Sequence, residues 1–536
     1  MAGEMETTAS ELGIRSAGVA TSLTIGKFAS IAISTTMFII LAVLLKPAGY
    51  GEYTLMLSIS GFIGAFGSIS IDSYIYTRIP RLVASGKKEM VGVVIGDSVA
   101  LISCIYAALM AVSIVISYLY FAARFNVSIL GLFLAFYGIS ISSISNIFYF
   151  SLIALNKRKG VMASLVSNAA FQAGVSVILV ALGFGAVGAL TGFAAGATAG
   201  FAVNSAYLLS SEKVILRIKG FAGRMRGILR FSLPLTGSTI LGTAMSYLST
   251  VVLGVVLPVS VYAGVVGQYG VSLNVGRLID VVTGSISIVL VPMFSAAYGN
   301  KRISKNIGKL FDSSVYFSML LTIPVIVYIS GMSRSIVLAI FGSEYTSVAT
   351  YMPLLSIGML LGIFVSYASA LLISSGEVKR VFKYTIAIVL AELASLTLVP
   401  VFGLLGYYYV PFGVILSLFY IGNIAGLSLY LGYLRKKGIR ISGGRILRLL
   451  CAGIASAAVL LPLTLLGSYT ASRAGSFMLM LAGLALILIT YPPFISFSRA
   501  VSNEDMSLLR RVSSGIPLLG SILRTLISYS ERFYRE

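Results

Sequence analysis

Fourteen apolar stretches follow one another along the chain, each close to or above the twenty residues that an α-helix needs to cross a bilayer. They run over roughly 22–45, 53–77, 91–120, 127–154, 161–183, 186–210, 231–257, 262–293, 311–331, 348–374, 382–402, 405–433, 449–467 and 475–498. No connection between them is long enough to hold a soluble domain. A water-soluble core could not hide this much apolar surface, since 58% of residues are hydrophobic and only 10% are charged. Lipid solves the problem by acting as an apolar solvent, and helices satisfy their own backbone groups there. The expected fold is an all-α membrane protein of about 14 transmembrane helices.

The connections carry a second pattern. The six even-numbered ones hold 26 basic residues, among them Lys87 and Lys88, Lys157 to Lys159, Lys379 and Arg380, and Arg435 to Lys437. The odd-numbered ones hold only Lys46, Arg124, Arg334 and Arg473. Such alternation fits an even number of spans, because a missed or invented helix would scramble every later loop. The positive-inside rule then places the even loops and both termini in the cytoplasm of a multi-pass protein of the cell membrane. The net charge of +22 is therefore loop charge, and no nucleic-acid partner is expected. The acidic N-terminus (Glu4, Glu6, Glu11) lacks the basic flank of a signal peptide, so the first apolar segment is expected to be retained.

A weak internal repeat divides the spans. Gly51-Glu52-Tyr53 opens the second span and Gly267-Gln268-Tyr269 opens the eighth, 216 residues and six helices later. An even offset preserves orientation, so the halves are parallel repeats about an axis along the membrane normal. The expected organisation is a six-helix lobe over 1–215, a second over 216–440, two added helices over 441–500, and a tail over 501–536. In the tail, Leu509, Val512, Ile516, Leu519, Leu523 and Leu526 alternate with arginines, as in interfacial helices on the cytoplasmic leaflet. A partly disordered basic tail is the alternative.

With no histidine in the chain, imidazole acid–base catalysis and His-ligated metal sites are excluded. No catalytic residue, metal or cofactor is expected. Cys104 and Cys451 lie in apolar stretches and read as packing residues. What remains informative is charge inside spans, which is costly and usually faces a cavity or a partner. Lys27 shares a helix face with Thr24, Ser30 and Ser34, a polar stripe; the competing reading is a lysine snorkelling to the interface. Arg277 sits mid-span with Gly270, Asn274 and Gly284 on roughly one face, and Asp280 three residues on could neutralise it. Asp72, Asp97 and Glu392 are candidates for counter-charges or ion-coupling sites, and Glu392 has no partner in its own segment. Asn146, Asn168, Gln172 and Asn204 read as interhelical hydrogen-bond glue. Cations in a water-filled cavity suit an anionic substrate such as a phosphate-bearing amphiphile, with Arg277, Lys27 and Asn274 as its binding residues.

Several stretches resemble the multidrug/oligosaccharidyl-lipid/polysaccharide export superfamily, in its polysaccharide or oligosaccharide-lipid flippase branch. They are Leu45-Lys46-Pro47-Ala48-Gly49-Tyr50-Gly51-Glu52-Tyr53, Ile228-Leu229-Arg230-Phe231-Ser232-Leu233-Pro234-Leu235, Gly267-Gln268-Tyr269, Val291-Pro292-Met293-Phe294-Ser295 and Ile340-Phe341-Gly342-Ser343-Glu344-Tyr345. The resemblance implies flipping of polyprenyl-(pyro)phosphate-linked glycans from the cytoplasmic to the outer leaflet by alternating access. Its implied partners are the lipid-linked glycan, membrane lipids and glycan-synthesis enzymes. Similar flippases carry cavity cations in helices 1 and 8, where Lys27 and Arg277 fall. Many relatives also carry an acid in helix 7, whereas Tyr247-Leu248-Ser249-Thr250-Val251-Val252-Leu253-Gly254 has none. Two rival functions are a drug/cation antiporter of the same superfamily, whose cavity should be acidic, and a membrane glycosyltransferase or polymerase. The second lacks an outer loop that could house an acidic catalytic site.

Overall fold

The computed structural model describes residues 2–116, 118–119, 128–212, 214–218, 220–279, 283, 290, 293–294, 298, 307–439, 441–470, 472–498 and 500–501. The tail beyond 501 and Asp280 therefore lie outside the described residues, and in the first helix the side chains are described from residue 26. The chain divides into two compact units, 1–267 and 268–536.

Among the described residues, twelve segments are long and apolar enough to cross a membrane. The first, Gly26–Ala65, has 40 residues, about twice what a bilayer needs. It belongs to α1 (Ala2–Ala65), which is broken at Lys46, where φ is 56° and Pro47 follows. The packing shows that the chain reverses there. Gly26 lies against Met162 and Leu165, near the start of α5 (Arg158–Ala181). Beyond the break, Met56 meets Gly131 and Gly64 meets Ile139, both on α4 (Ile129–Ala154). The end of α4 adjoins the start of α5, so residues 26 and 56 sit at opposite ends of this pair. The first segment is thus two spans, which makes thirteen. The fourteenth, predicted from 262, begins as α8 (Tyr262–Gly276).

The predicted second span, 53–77, is broken over residues 66–70 and resumes as α2 (Ile71–Ala84). The cause is a side chain inserted into the helix ladder. The Tyr106 hydroxyl donates to the carbonyl of Gly64 (3.0 Å), and the backbone there tightens into i→i+3 bonds. Gly67 makes room, since a Cβ there would lie 2.7 Å from the Tyr106 ring. The freed Ser70 N–H donates to Thr236 Oγ1 (3.4 Å) on α7 (Phe221–Val256).

In unit 1, α6 (Gly185–Glu212) packs along α5 through glycines four residues apart. A Cβ at Gly192 would lie 2.1 Å from Ser176 Oγ, and one at Gly196 would lie 2.5 Å from Gln172 Cβ. Small residues let membrane helices approach this closely, where van der Waals contact replaces the hydrophobic drive. Asn204 supplies the polar glue, donating to Ser145 Oγ (2.9 Å) on α4. The two glycines of the sequence repeat also meet: a Cβ on Gly51 would fall 1.8 Å from the Ala263 carbonyl, and one on Gly267 would fall 1.8 Å from that of Pro47.

Unit 2 centres on a core shared by α9 (Ile307–Gly331), α11 (Val348–Ser374) and a later helix over 422–436. Phe311, Val315, Phe364, Tyr367, Leu371, Tyr430 and Leu434 fill it. Between α9 and α11 lies the short α10 (Ser333–Ile340). The next two spans contain irregular turns. α12 (Val378–Ser395) continues through a 3₁₀ turn into α13 (Val399–Leu405). α14 (Val410–Ile415) passes through a π-turn, Leu416–Ile421, into α15 (Gly422–Lys436). The last two spans are α16 (Gly443–Tyr469) and α17 (Arg473–Phe497).

Within each unit the described parts of the basic connections gather at one end. In unit 1, residues from 83–92, 154–157 and 214–217 line a single cavity. In unit 2, Glu377 bonds to Lys437, and Asp312 accepts from Ser442 N–H (2.8 Å) and Oγ (2.7 Å). At the other end of unit 2, Arg473 donates to the carbonyls of Ala339 and Ile340, capping α10. Tyr407, Tyr408, Tyr409 and Tyr469 are exposed there, as in the aromatic belts of membrane proteins. Cys104 and Cys451 are free and exposed rather than packed; their thiols face outward from their helices.

Candidate functional site

Arg277 follows directly on the end of α8 at Gly276, in a turn, and its side chain is exposed. The sequence places it mid-helix, but the structure places it at an interruption of the helix. Gly276 allows a close approach to α11, since a Cβ there would lie 3.2 Å from Met359 Cε and Sδ. Asn274, half-buried one turn earlier, donates to its own helix at Gly270 O (3.0 Å). Non-helical backbone inside a span is tolerated where it is buried in protein or lines a cavity.

Lys27, in unit 1, is also exposed, while the adjacent Gly26 is buried against Met162. Ser30 and Ser34 of its predicted polar stripe are half-buried. Asp72 is exposed in the first turn of α2, the helix that the break at 66–70 creates. A carboxylate there faces the positive end of the helix dipole. Asp97 is buried on α3 (Glu89–Ile116) and takes two bonds from one guanidinium, Arg224 Nε at 2.6 Å and Nη2 at 2.8 Å. This is the fork geometry in which arginine binds carboxylates most strongly. Among the described residues, no ion pair joins Lys27, Asp72 and Asp97 to one another within unit 1, or Arg277 to Glu392 within unit 2.

Glu392 is buried in α12, and its Oε2 has no hydrogen-bond partner among the described residues. Its carboxylate presses on Gly422, the first residue after the π-turn, where a Cβ would lie 2.2 Å from Oε1. Just beyond, Ser417 Oγ donates to Ser395 O (2.9 Å) and Ser395 Oγ to Ser417 O (3.4 Å), tying the two helices together. π-turns recur at functional sites. Here Gly422, directly after the turn, leaves room for an acidic side chain between two membrane helices.

Sequence reasoning missed three polar residues that organise the units. Arg224 reads as a loop cation, yet it neutralises Asp97 from 127 residues away. Asp312 caps the start of α16 through Ser442. Gln268 Oε1 accepts from Ser347 N–H (2.9 Å), so the Gly267-Gln268-Tyr269 stretch is tied to the start of α11. The glutamine's place in a motif was the only available signal.

Helices in two units, interrupted spans and charges at the interruptions define the class: a membrane protein with the fold of the multidrug/oligosaccharidyl-lipid/polysaccharide export superfamily. The lipid II flippase MurJ in an inward-closed conformation superposes with a TM-score of 0.67 over 88% of this chain and 98% of its own, at 15% identity. An outward-facing multidrug resistance transporter of the MATE family matches at 0.54 and 16% identity, covering 79% of this chain and 96% of its own. A transporter of the same superfamily from Pyrococcus furiosus, described as having a binding pocket of reversed polarity, gives the same values. No curated protein matches the chain by sequence. Residues 40–350, more than half of the chain, match the polysaccharide biosynthesis protein family. The chain belongs to that family.

Proposed function

We propose that this protein carries a polyprenyl-(pyro)phosphate-linked oligosaccharide or polysaccharide precursor from the cytoplasmic to the outer leaflet by alternating access. The observation that carries the reading is Arg277, an exposed guanidinium at a one-residue interruption of a membrane helix, which resumes at Leu278. An arginine at such an interruption can grip a phosphate with two parallel bonds, and a lysine such as Lys27 adds a point charge. Asn274 stands one turn from Arg277 as a further polar contact. Membership of a polysaccharide biosynthesis family supports a glycan cargo, and a fold shared with a lipid II flippase supports a lipid-linked one. The two six-helix lobes, 1–215 and 216–440, are the bodies that would rock about the substrate. Membrane lipids and glycan-synthesis enzymes are the natural partners, and both termini face the cytoplasm under the charge rule. Glu392 is the proposed ion-coupling group, with Asp280 as a counter-charge to Arg277, while Asp72 and Asp97 act as local counter-charges.

The test is transfer of a fluorescent lipid-linked oligosaccharide between leaflets of proteoliposomes. Arg277→Ala should lower the rate roughly 10- to 100-fold, the scale of one charge-assisted hydrogen bond. Glu392→Gln should retain transfer but lose its response to an imposed pH gradient. Full transfer by a Lys27→Ala/Arg277→Ala double variant would show that the cations do not bind the cargo. The buried Glu392 also favours a second reading, export of amphipathic cations. Binding of a cationic dye in preference to the lipid-linked sugar would select it.

A further inference from the structure

At the basic end of unit 1, a cavity of about 570 Å³ opens between the α2–α3 connection, the α4–α5 connection and the segment 214–218 that leads towards α7. Lys88, Lys157 and Arg217 line it, with Glu89 as the one carboxylate among its lining residues. The segment 214–218 is pinned in place. Arg217 N–H donates to Gly92 O (3.3 Å), and a Cβ on Gly92 would fall 2.0 Å from Ile215 O, so only glycine lets the segment lie against α3. Arg217 Nη1 stands 3.9 Å from Glu89 Oε2, and both side chains are more than half exposed, so the contact is a weak one. Among the described lining residues, three cations stand against one acid.

The rim has a different character. Ile215 is 71% exposed and Val83 37%, both among the lining residues, and Ile218, next in sequence to Arg217, is 50% exposed. A soluble anion needs the cations only and leaves these side chains in water. An amphiphile uses both features. We propose that this cavity binds the phosphate of an anionic glycerophospholipid from the leaflet at the basic end, with its acyl chains lying over Ile215, Ile218 and Val83. The chemistry required is a phosphodiester headgroup of net negative charge on an apolar tail, and juxtamembrane lysines and arginines are the groups that recognise it. The inference does not rest on the transport reading, because none of these residues belongs to the proposed cargo path. Lipid held here would tie the α2–α3 and α4–α5 connections to the chain entering α7.

The full-length protein in detergent provides the test, by native mass spectrometry and thermal unfolding with added phosphatidylglycerol, phosphatidylcholine, a polyprenyl monophosphate or inorganic phosphate. Phosphatidylglycerol should be retained about tenfold better than phosphatidylcholine and should raise the melting temperature. The variant Lys88→Ala/Lys157→Ala/Arg217→Ala should lose that preference, whereas Lys379→Ala/Lys383→Ala in unit 2 should keep it. Glu89→Gln removes the competing carboxylate and should strengthen retention, a gain that a misfolded variant could not show. Unchanged retention in both the triple and the Glu89 variants would overturn the proposal. So would equal stabilisation by inorganic phosphate, which would mark a site for free anions. Preferential retention of the polyprenyl monophosphate would also overturn it, by assigning the cavity to cargo.

Discussion

Glu377 shows how one side chain can close a connection at the basic end. It precedes α12, accepts from the Tyr433 hydroxyl of α15, and pairs with Arg380 and with Lys437 Nζ at 3.5 Å. The Arg380 guanidinium lies 4.7 Å and the Lys437 ammonium 5.8 Å from the centre of the Tyr433 ring. The Tyr433 hydrogen bond, with the two cations, holds the Glu377 carboxyl below the usual carboxylate range. A carboxyl depressed in the folded state stabilises it fully above the unfolded pKa, and that contribution fades as the pH falls through the folded one. Glu377→Gln should therefore melt below wild type near pH 7, and the gap should close as the pH is lowered through about 4.5 and below. A gap independent of pH would mean that the glutamate acts only through shape. At this scale the sequence is legible where a charge stands alone. Glu392 and Asp97 are conspicuous among apolar neighbours. What confronts them is not, because Gly422 is thirty residues away and Arg224 sits on a helical turn too polar for hydropathy to register. That turn starts α7 at Phe221, ten residues before the predicted span.

Hydropathy measures the length of an apolar run and is blind to breaks within it. That is why spans were countable from sequence while the interruption at 66–70, the π-turn and the end of α8 were not. The first break is made by a distant group, the Tyr106 hydroxyl on the Gly64 carbonyl, and a residue 42 positions away leaves no trace in a hydropathy profile. The α5–α6 pair is the opposite case, since its four-residue glycine spacing is written in the sequence as Gly188, Gly192, Gly196 and Gly200. Gly192→Ala would push a methyl into Ser176 Oγ and N, at 2.1 and 2.3 Å, and the helices would have to separate. The expected loss is about 1–3 kcal/mol, typical of overpacking. Gly174→Ala on α5 is the control, because a Cβ there meets nothing within 4 Å and alanine is the better helix former. Thermal unfolding in detergent should show a clear drop for the first and none for the second. Equal effects would remove close packing as the reason for the glycines.

For the whole molecule, the charge alternation makes the strongest claim, because it fixes every loop at once. Within each unit the structure gathers the described parts of the basic connections at one end. At the opposite end of unit 2, Arg473 is spent on capping α10, a local task that leaves the asymmetry of free charge intact. The positive-inside rule would put the basic ends in the cytoplasm, and that orientation can be read chemically. Both native cysteines are exposed on their helices, so Cys104→Ala and Cys451→Ala should cost little and leave a silent background. Single cysteines at Lys88 and Lys379 would mark the basic end of each unit, and others at Val259 and Tyr469 the neutral end; Val259 is 52% exposed and Tyr469 88%. A membrane-impermeant maleimide applied to intact cells should label Val259→Cys and Tyr469→Cys at once, and Lys88→Cys and Lys379→Cys only after permeabilisation. The reverse pattern would invert the protein and with it the direction of transport. Labelling of both positions of one unit from the same side would mean that a span within that unit does not cross. An arginine such as Arg277 can meet a cytoplasmic phosphate and release it outside only if the loops alternate as the charges require.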